Sequence, residues 1–152
     1  MNLSKSVYLS RFYYNLKIME IYTSYYGNLK KLKKDGIIPV GISVFLPKYF
    51  NGYSLKYLAP TAKMLHMGEK EYTPLYFQIL EKVSIGKLRE DIMRISNQEG
   101  GKDVALLCYE KPGDFCHRRI FADWMKEKTG YDIKEYGYIE KKEPDVVQGS
   151  LF

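Results

Sequence analysis

The spacing of hydrophobic residues changes along the chain, and each spacing predicts a different secondary structure element. Residues 19–26 are β-branched and aromatic, and residues 37–45 form a continuous apolar run; both patterns are typical of β-strands. Another apolar run at 104–109 predicts a buried strand, and residues 131–136 alternate like a closing strand.

Helical spacing predicts three helices between these strands, over residues 72–81, 88–96 and 115–128. Thr73 and Pro74 suit the N-cap and the first position of the first of these helices. Leu88 and Ile92 lie on one face of the second, and Gly130 ends the third.

Two further segments complete the pattern. Residues 29–36 are strongly basic and predict a short helix or turn, and residues 46–61 are rich in Pro, Gly and Tyr, which predicts a long surface loop. Strands that alternate with helices predict an α/β fold, a Rossmann-like three-layer domain with a mostly parallel sheet. Ligands of such folds bind beyond the carboxyl ends of the strands.

Length and composition predict one domain. The chain has 152 residues, of which 45% are hydrophobic and 15% aromatic, enough for a full core but too few for two ordinary domains. We expect an N-terminal extension over residues 1–18, a single α/β domain over 19–140 and a flexible C-terminal tail over 141–152.

Charge and cysteine content indicate which partners and which cell compartment suit the protein. A net charge of +6 favours polyanionic partners such as nucleic acid or nucleotides. Two cysteines are too few for a disulfide framework, and no apolar run approaches the length of about 20 residues that a membrane span needs. These features predict a cytoplasmic protein with no membrane partner.

Candidate chemistry concentrates in residues 106–124, where both cysteines and one of the two histidines lie at a predicted strand-to-helix turn. If Asp114 is the N-cap, Cys116 falls in the first helical turn, where free N–H groups and the helix dipole favour anions and lower a thiol pKa. Cys116 is then a candidate nucleophile, with Glu110 or His117 as acid or base. The Asp114 carboxylate counts against this hypothesis, because its charge opposes a nearby thiolate.

Arginine at the same helix start suits phosphate binding, and the candidates are Arg118 and Arg119. The alternative is packing, with Cys108 in the sheet and Cys116 under the helix. Packing explains the cysteines, but it gives no reason for three consecutive polar residues, His117 to Arg119.

A metal site would need both cysteines and both histidines, Cys108, Cys116, His117 and His66. Adjacent helical residues such as Cys116 and His117 diverge by roughly 100° around the helix axis, which makes joint ligation of one ion awkward. We therefore predict no metal, and nothing in the sequence predicts a cofactor.

The motif Leu-Leu-Cys-x-Glu, a Pro-Gly-Asp turn, Cys-His-Arg and then Trp124 resembles the signature of the family called domain of unknown function 488. An early Tyr-Thr-Ser strand over residues 22–24 and Pro47 after the second strand add to this resemblance. The family implies a Rossmann-like fold and no particular activity. It also implies a polar site, which falls here on Cys108, Glu110, Cys116, His117 and Arg118.

This chain departs from the family pattern before Pro47. Many members carry Asp-Val-Arg there, whereas residues 42–45 are Ile-Ser-Val-Phe. We expect Ser43 to contribute to the site in place of those charged residues, to a smaller extent. Ser24, at the end of the first predicted strand, is a further supporting residue.

Residues 148–152, Gln-Gly-Ser-Leu-Phe, resemble the short motif by which DNA polymerases and repair proteins bind the bacterial sliding clamp. Leu151 and Phe152 suit an apolar pocket and Gln148 suits hydrogen bonding at its edge, after a polar tether at 141–147. Docking of the same residues on their own domain is the alternative.

Together these features predict a protein that acts on nucleic acid or a nucleotide in DNA metabolism or repair, possessing an anion-binding site at the Cys-His-Arg helix start and a clamp-binding tail. The predicted chemistry is that of a hydrolase or transferase. The alternative is a non-catalytic adaptor that recognises an anionic ligand.

Overall fold

The computed structural model describes residues 19–138, so the predicted N-terminal extension, the last two residues of the predicted domain and the predicted tail over 141–152 lie outside the described residues. Five parallel strands form one sheet in the order β3-β2-β4-β1-β5. The strands are β1 (Ile21–Tyr25), β2 (Ile38–Gly41), β3 (Tyr53–Ser54), β4 (Val104–Cys108) and β5 (Lys134–Glu135). The predicted α/β class and parallel sheet are confirmed.

Four α-helices are present in the described residues: α1 (Leu29–Lys34), α2 (Glu69–Glu81), α3 (Ile85–Gln98) and α4 (His117–Thr129). Two 3-10 segments, Lys56–Leu58 and Ala62–His66, precede α2. None of the helices within residues 19–138 combines the length and the apolar character that crossing a membrane requires.

The central strand β4 explains the three layers. All five of its residues are buried, as expected for a parallel strand that is covered on both faces. Val104 and Leu106 belong to the large core cluster that includes residues of α2, α3 and α4, whereas Ala105 and Leu107 pack in a smaller cluster with Leu32 of α1. Alternate side chains of one strand therefore hold helices on opposite faces of the sheet.

The segment 46–61 is not simply a surface loop. It contains the edge strand β3, and Leu55 and Leu58 are buried in the main core. The Tyr76 hydroxyl of α2 donates a hydrogen bond of 2.6 Å to the Leu58 carbonyl. Tertiary contacts thus fix a segment whose Pro, Gly and Tyr content predicts irregular structure.

Helix α2 also differs from its prediction, because it begins at Glu69 and places Pro74 inside the helix. Glu69 and Glu71 occupy its first turn, where a negative charge interacts favourably with the helix dipole. The Thr73 hydroxyl donates 2.8 Å to the Glu69 carbonyl instead of capping the helix. The earlier start brings Tyr72 onto the helical face that packs into the core.

Candidate functional site

The predicted site residues lie at the carboxyl edge of the sheet, as the fold class leads one to expect. Strand β4 ends at Cys108, and α4 begins at His117 after an eight-residue connection. The neighbouring end of β2 is tied to β4 by a hydrogen bond of 3.0 Å from the Ile42 N–H to the Leu107 carbonyl. The connection therefore faces the ends of two strands.

Cys116, and not Asp114, is the N-cap of α4. Gly113 adopts a positive φ of 93°, and the Asp114 N–H donates 3.1 Å to the Lys111 carbonyl, so residues 111–114 form a closed turn that must end before the helix can start. The Asp114 carboxylate therefore does not cap the helix.

The two cysteine sulfurs lie within 4.8 Å of each other, and their pKa values are shifted in opposite directions. Burial raises the pKa of Cys108, so that residue favours its protonated form. The neighbouring Cys108 thiol lowers the pKa of Cys116, against the effect of its own burial. The Arg118 charge and the backbone N–H groups of Arg119 and Arg118 lower it further, although these N–H groups lack the geometry of a capping hydrogen bond. The arrangement favours a thiolate at Cys116.

Arg118 is directed into the protein. Its Nη1 donates 2.8 Å to the Cys108 sulfur and 2.7 Å to the Glu110 carbonyl. Its Nε donates 3.1 Å to each carboxylate oxygen of Glu135, and Nη2 lies 2.8 Å from one of them. Most of the five donors of this guanidinium therefore already have protein partners. The predicted role of Arg118 in binding phosphate does not fit this geometry, and a positioning role does.

His117 points to the other side of the helix start. Its Nε2 lies 2.7 Å from the Ile42 carbonyl, which can only accept, so Nε2 carries the proton. Burial lowers the pKa of His117 to about 4, and the ring packs edge-on against Tyr76. A neutral ring with its one proton engaged does not suit the predicted role of proton donor. Its unprotonated Nδ1 can still accept a hydrogen bond.

Glu110 remains the candidate acid or base. Its side chain is exposed, and one of its carboxylate oxygens lies within 4.8 Å of the sulfurs of Cys108 and Cys116. These three residues are also the group, within the described part of the chain, that could hold a metal ion. The Arg118 guanidinium donates a hydrogen bond to the Cys108 sulfur, so a positive charge already lies beside this group. Repulsion from that charge disfavours the binding of a metal cation.

The supporting residues occupy different places. Ser24 is buried and accepts a hydrogen bond of 3.1 Å from the Asn28 amide, which is a local contact within the first turn after β1. The Ser43 hydroxyl donates 2.7 Å to the Phe45 carbonyl, so the Tyr26 hydroxyl, 2.6 Å away, is the donor in the contact between them. His66, the remaining metal candidate, is exposed and does not belong to the cysteine cluster.

Cys116 contributes to the lining of three cavities, and two of them also contain Glu110, His117 or Arg118. A cavity of about 140 Å³ is lined by Cys116, Glu110 and His117 together with Ser43 and several aromatic side chains. A larger cavity of about 350 Å³ contains Thr23, Arg118, Arg119 and Glu135 beside Cys116. Cys116 therefore borders open space although it is only 5% exposed.

The sequence did not reveal the aromatic lining of the smaller cavity, which is formed by Phe45, Tyr72, Tyr109 and Phe115. These residues come from three separate segments, so no local pattern joins them. The spacing of Tyr72 and Tyr76, four residues apart on α2, was the available signal for one of them.

Comparisons with protein-family models, with curated proteins and with solved structures found no match. The resemblance to the domain of unknown function 488 family therefore stays a prediction from the residues of the motif.

Proposed function

We propose that this protein is an enzyme that acts on a nucleotide or on nucleic acid, with the Cys116 sulfur as its nucleophile. The observation that carries the proposal is the position of Cys116, which is the N-cap residue of α4, has its sulfur within 4.8 Å of the Cys108 sulfur and a Glu110 carboxylate oxygen, and lines three cavities. A helix start, a thiol donor and a nearby guanidinium are the surroundings that activate cysteine nucleophiles.

The anion at this helix start is then the thiolate of the protein itself. The backbone N–H groups of Arg118 and Arg119 lower the pKa of Cys116 without forming a capping hydrogen bond to its sulfur. This changes the predicted anion-binding site into a nucleophile site, in which Arg118 positions Cys108 and the connection at Glu110.

Hydrolysis illustrates how the groups divide the work. The Cys116 thiolate gives an electron pair to an electrophilic carbon, and the bond from that carbon to the leaving group breaks with its electrons on the leaving group. Glu110 then takes a proton from water, and the resulting hydroxide displaces the sulfur from carbon. Transfer of that proton to the departed anion restores Glu110 and the thiolate.

The charge of the chain supports an anionic substrate. Lys and Arg exceed Asp and Glu by six residues, which gives the net charge of +6. The larger cavity beside Cys116 is lined by three cations and four carboxylates, so the support comes from the whole chain and not from this cavity. A net positive charge attracts polyanions, in agreement with the predicted nucleic acid or nucleotide partner.

Alkylation tests the nucleophile. We expect iodoacetamide to modify Cys116 at a rate that reaches its plateau at lower pH than an ordinary thiol, because the pKa of Cys116 is lowered. Mass spectrometry after digestion reports both cysteines at once, and Cys108, whose pKa is raised, is the internal control that should remain unmodified.

The Cys108→Ser variant sharpens the test, since a hydroxyl keeps the shape but replaces the thiol donor. The pH midpoint of Cys116 alkylation should change in this variant and stay constant in Glu127→Gln, which removes an exposed charge near the other end of α4. Alkylation of wild-type Cys116 with the midpoint of a free thiol would contradict the proposal and favour the non-catalytic adaptor.

We also propose that residues 148–152 bind the bacterial sliding clamp, and this second proposal rests on the sequence motif alone. Deletion of these five residues should abolish binding to purified clamp in surface plasmon resonance. Replacement of Leu151 and Phe152 by alanine should do the same, because these side chains would fill the pocket. Binding that persists in both variants would eliminate this contact.

A further inference from the structure

The exposed apolar side chains are concentrated at one place. Seven large hydrophobic residues are exposed among the described residues, and four of them line the cavity of about 140 Å³ beside Cys116. They are Phe45 at 61% exposure, Leu65 at 50%, Tyr109 at 49% and Phe115 at 38%. Single exposed apolar residues are ordinary, whereas a cluster around a nucleophile indicates a binding site.

Packing holds the aromatic walls of this cavity in place. Phe115 meets the buried Tyr72 edge-on at 5.2 Å, and Tyr109 stacks at a tilt against Tyr26 at 4.9 Å. The Tyr26 hydroxyl is fixed in turn by Ser43. Rings that are supported in this way offer a preformed apolar surface. Binding of a ligand there therefore costs little conformational entropy of the protein.

Polar groups also line the same cavity. Glu110 and the Cys116 sulfur can accept hydrogen bonds, and His117 has an unprotonated ring nitrogen. Burial, and then the Glu110 charge, raise the pKa of Tyr72, so its hydroxyl stays protonated and can donate. The cavity therefore suits a ligand that has apolar faces and a polar edge with both donors and acceptors.

The size of the cavity limits that ligand to a single ring system. Sites for complete drug-sized ligands span about 300 to 1,000 Å³, and this cavity is clearly smaller. A whole nucleotide does not fit inside it. A flat base fits, with the sugar and phosphate left at the rim.

Charged residues near this cavity are balanced in sign. The exposed residues Lys63 and Lys111 adjoin lining residues in the chain, and Lys48 follows Phe45 by three residues. Three exposed acidic residues oppose them, namely Glu110 in the lining and Glu69 and Asp114 close to it in sequence. Attraction of a polyanion therefore depends on the net charge of +6 of the whole chain.

We propose that this cavity, lined by Phe45, Leu65, Tyr109 and Phe115, takes one unpaired base from single-stranded nucleic acid. The inference rests on the proposed function, because it assumes a nucleic acid substrate. Aromatic walls supply stacking for the base, and the polar groups beside Cys116 contact its edge.

The test compares two oligomers of equal length and charge, (dC)₅ and a five-unit chain of abasic tetrahydrofuran phosphates. Fluorescence anisotropy at low salt should show about tenfold weaker binding of the abasic chain, because base-aromatic stacking is lost. Phe115→Ala should weaken (dC)₅ binding by about the same factor and leave the abasic chain unaffected. Leu75→Ala removes an exposed apolar side chain away from the cavity and is the matched control.

Equal affinities for the two oligomers, or an equal effect of Leu75→Ala, would overturn the base pocket. Cys116 alkylation in Phe115→Ala separates this failure from failure of the proposed function. An unchanged pH midpoint shows that the nucleophile and the fold survive the substitution, so weakened (dC)₅ binding then supports the pocket. Ordinary Cys116 reactivity combined with a clear preference for (dC)₅ would refute only the nucleophile.

Discussion

Cys116 and His117 are neighbours in the chain, yet the fold gives them opposite surroundings. Cys116 lies beside the Cys108 thiol and at the first turn of α4, and both lower its pKa. His117 is enclosed between the Ile42 carbonyl and the Tyr76 ring, and burial favours its neutral form. Cysteine and histidine are both common catalytic residues. Here Cys116 is a candidate nucleophile, whereas His117 is a packed, neutral hydrogen-bond donor.

His117 should make stability depend on pH. Its pKa is lowered from 6.5 to about 4 in the folded protein, so between these values the unfolded chain binds more protons. Stability contributed by the neutral ring is therefore complete above pH 6.5 and falls by up to about 3 kcal/mol as pH decreases to 4. Urea unfolding at pH 7 and pH 5 should show a smaller loss in His117→Gln than in the wild type. Equal losses would contradict this origin.

Arg118 should matter for both stability and reactivity. Arg118→Met removes the partner of Glu135, whose side chain is largely buried, and should destabilise the fold by about 3 kcal/mol. The same substitution removes a charge that lowers the pKa of Cys116, so the alkylation midpoint should move to higher pH. Lys30→Met, at an exposed position, removes a charge of the same sign, is the control for denaturation and should change stability little.

At the scale of elements, the sequence predicts the helices better than it predicts where they begin. The prediction that Gly130 ends α4 is confirmed, and this glycine adopts a left-handed φ of 76°. The start of the same helix is displaced, because Lys111, Gly113 and Asp114 close a turn first. A helix end that requires one glycine conformation can be predicted from the sequence. A helix start depends on how the preceding connection folds.

Two glycines allow a matched test of this conclusion. Gly130→Ala puts a side chain at a positive φ and should destabilise the protein by about 1 kcal/mol. Gly86→Ala, in the first turn of α3, has room for the added carbon and should stabilise it by about 0.5 kcal/mol. Urea denaturation of both variants should give shifts of opposite sign; shifts of the same sign would contradict the proposed role of Gly130.

At the scale of the whole molecule, contacts between distant segments determine the shape of the site. Helix α2 provides Tyr72 to the cavity and Tyr76 to the packing of His117. The same Tyr76 binds the carbonyl of Leu58, in the segment that a sequence pattern predicts as surface loop. One helix therefore joins the irregular segment to the site.

Tyr76→Phe should show how much the hydrogen bond between α2 and Leu58 stabilises the protein. The substitution removes the hydroxyl and leaves the Leu58 carbonyl without its partner, which should cost about 1 to 2 kcal/mol of unfolding free energy. Tyr49→Phe alters a hydroxyl on a side chain that is 71% exposed and should have no measurable effect. Identical denaturation midpoints for wild type and Tyr76→Phe would show that other contacts hold the segment.

The sequence by itself determined the α/β class, the parallel sheet and the neighbourhood of the cysteines, because hydrophobic periodicity and the order of strands and helices are local properties of the chain. The tertiary structure decided what each polar residue does. Whether Arg118 faces a ligand or Glu135, and whether His117 is charged or enclosed, depends on groups 17 and 75 residues away in sequence. Burial and long-range hydrogen bonds set those roles, and no local pattern encodes either.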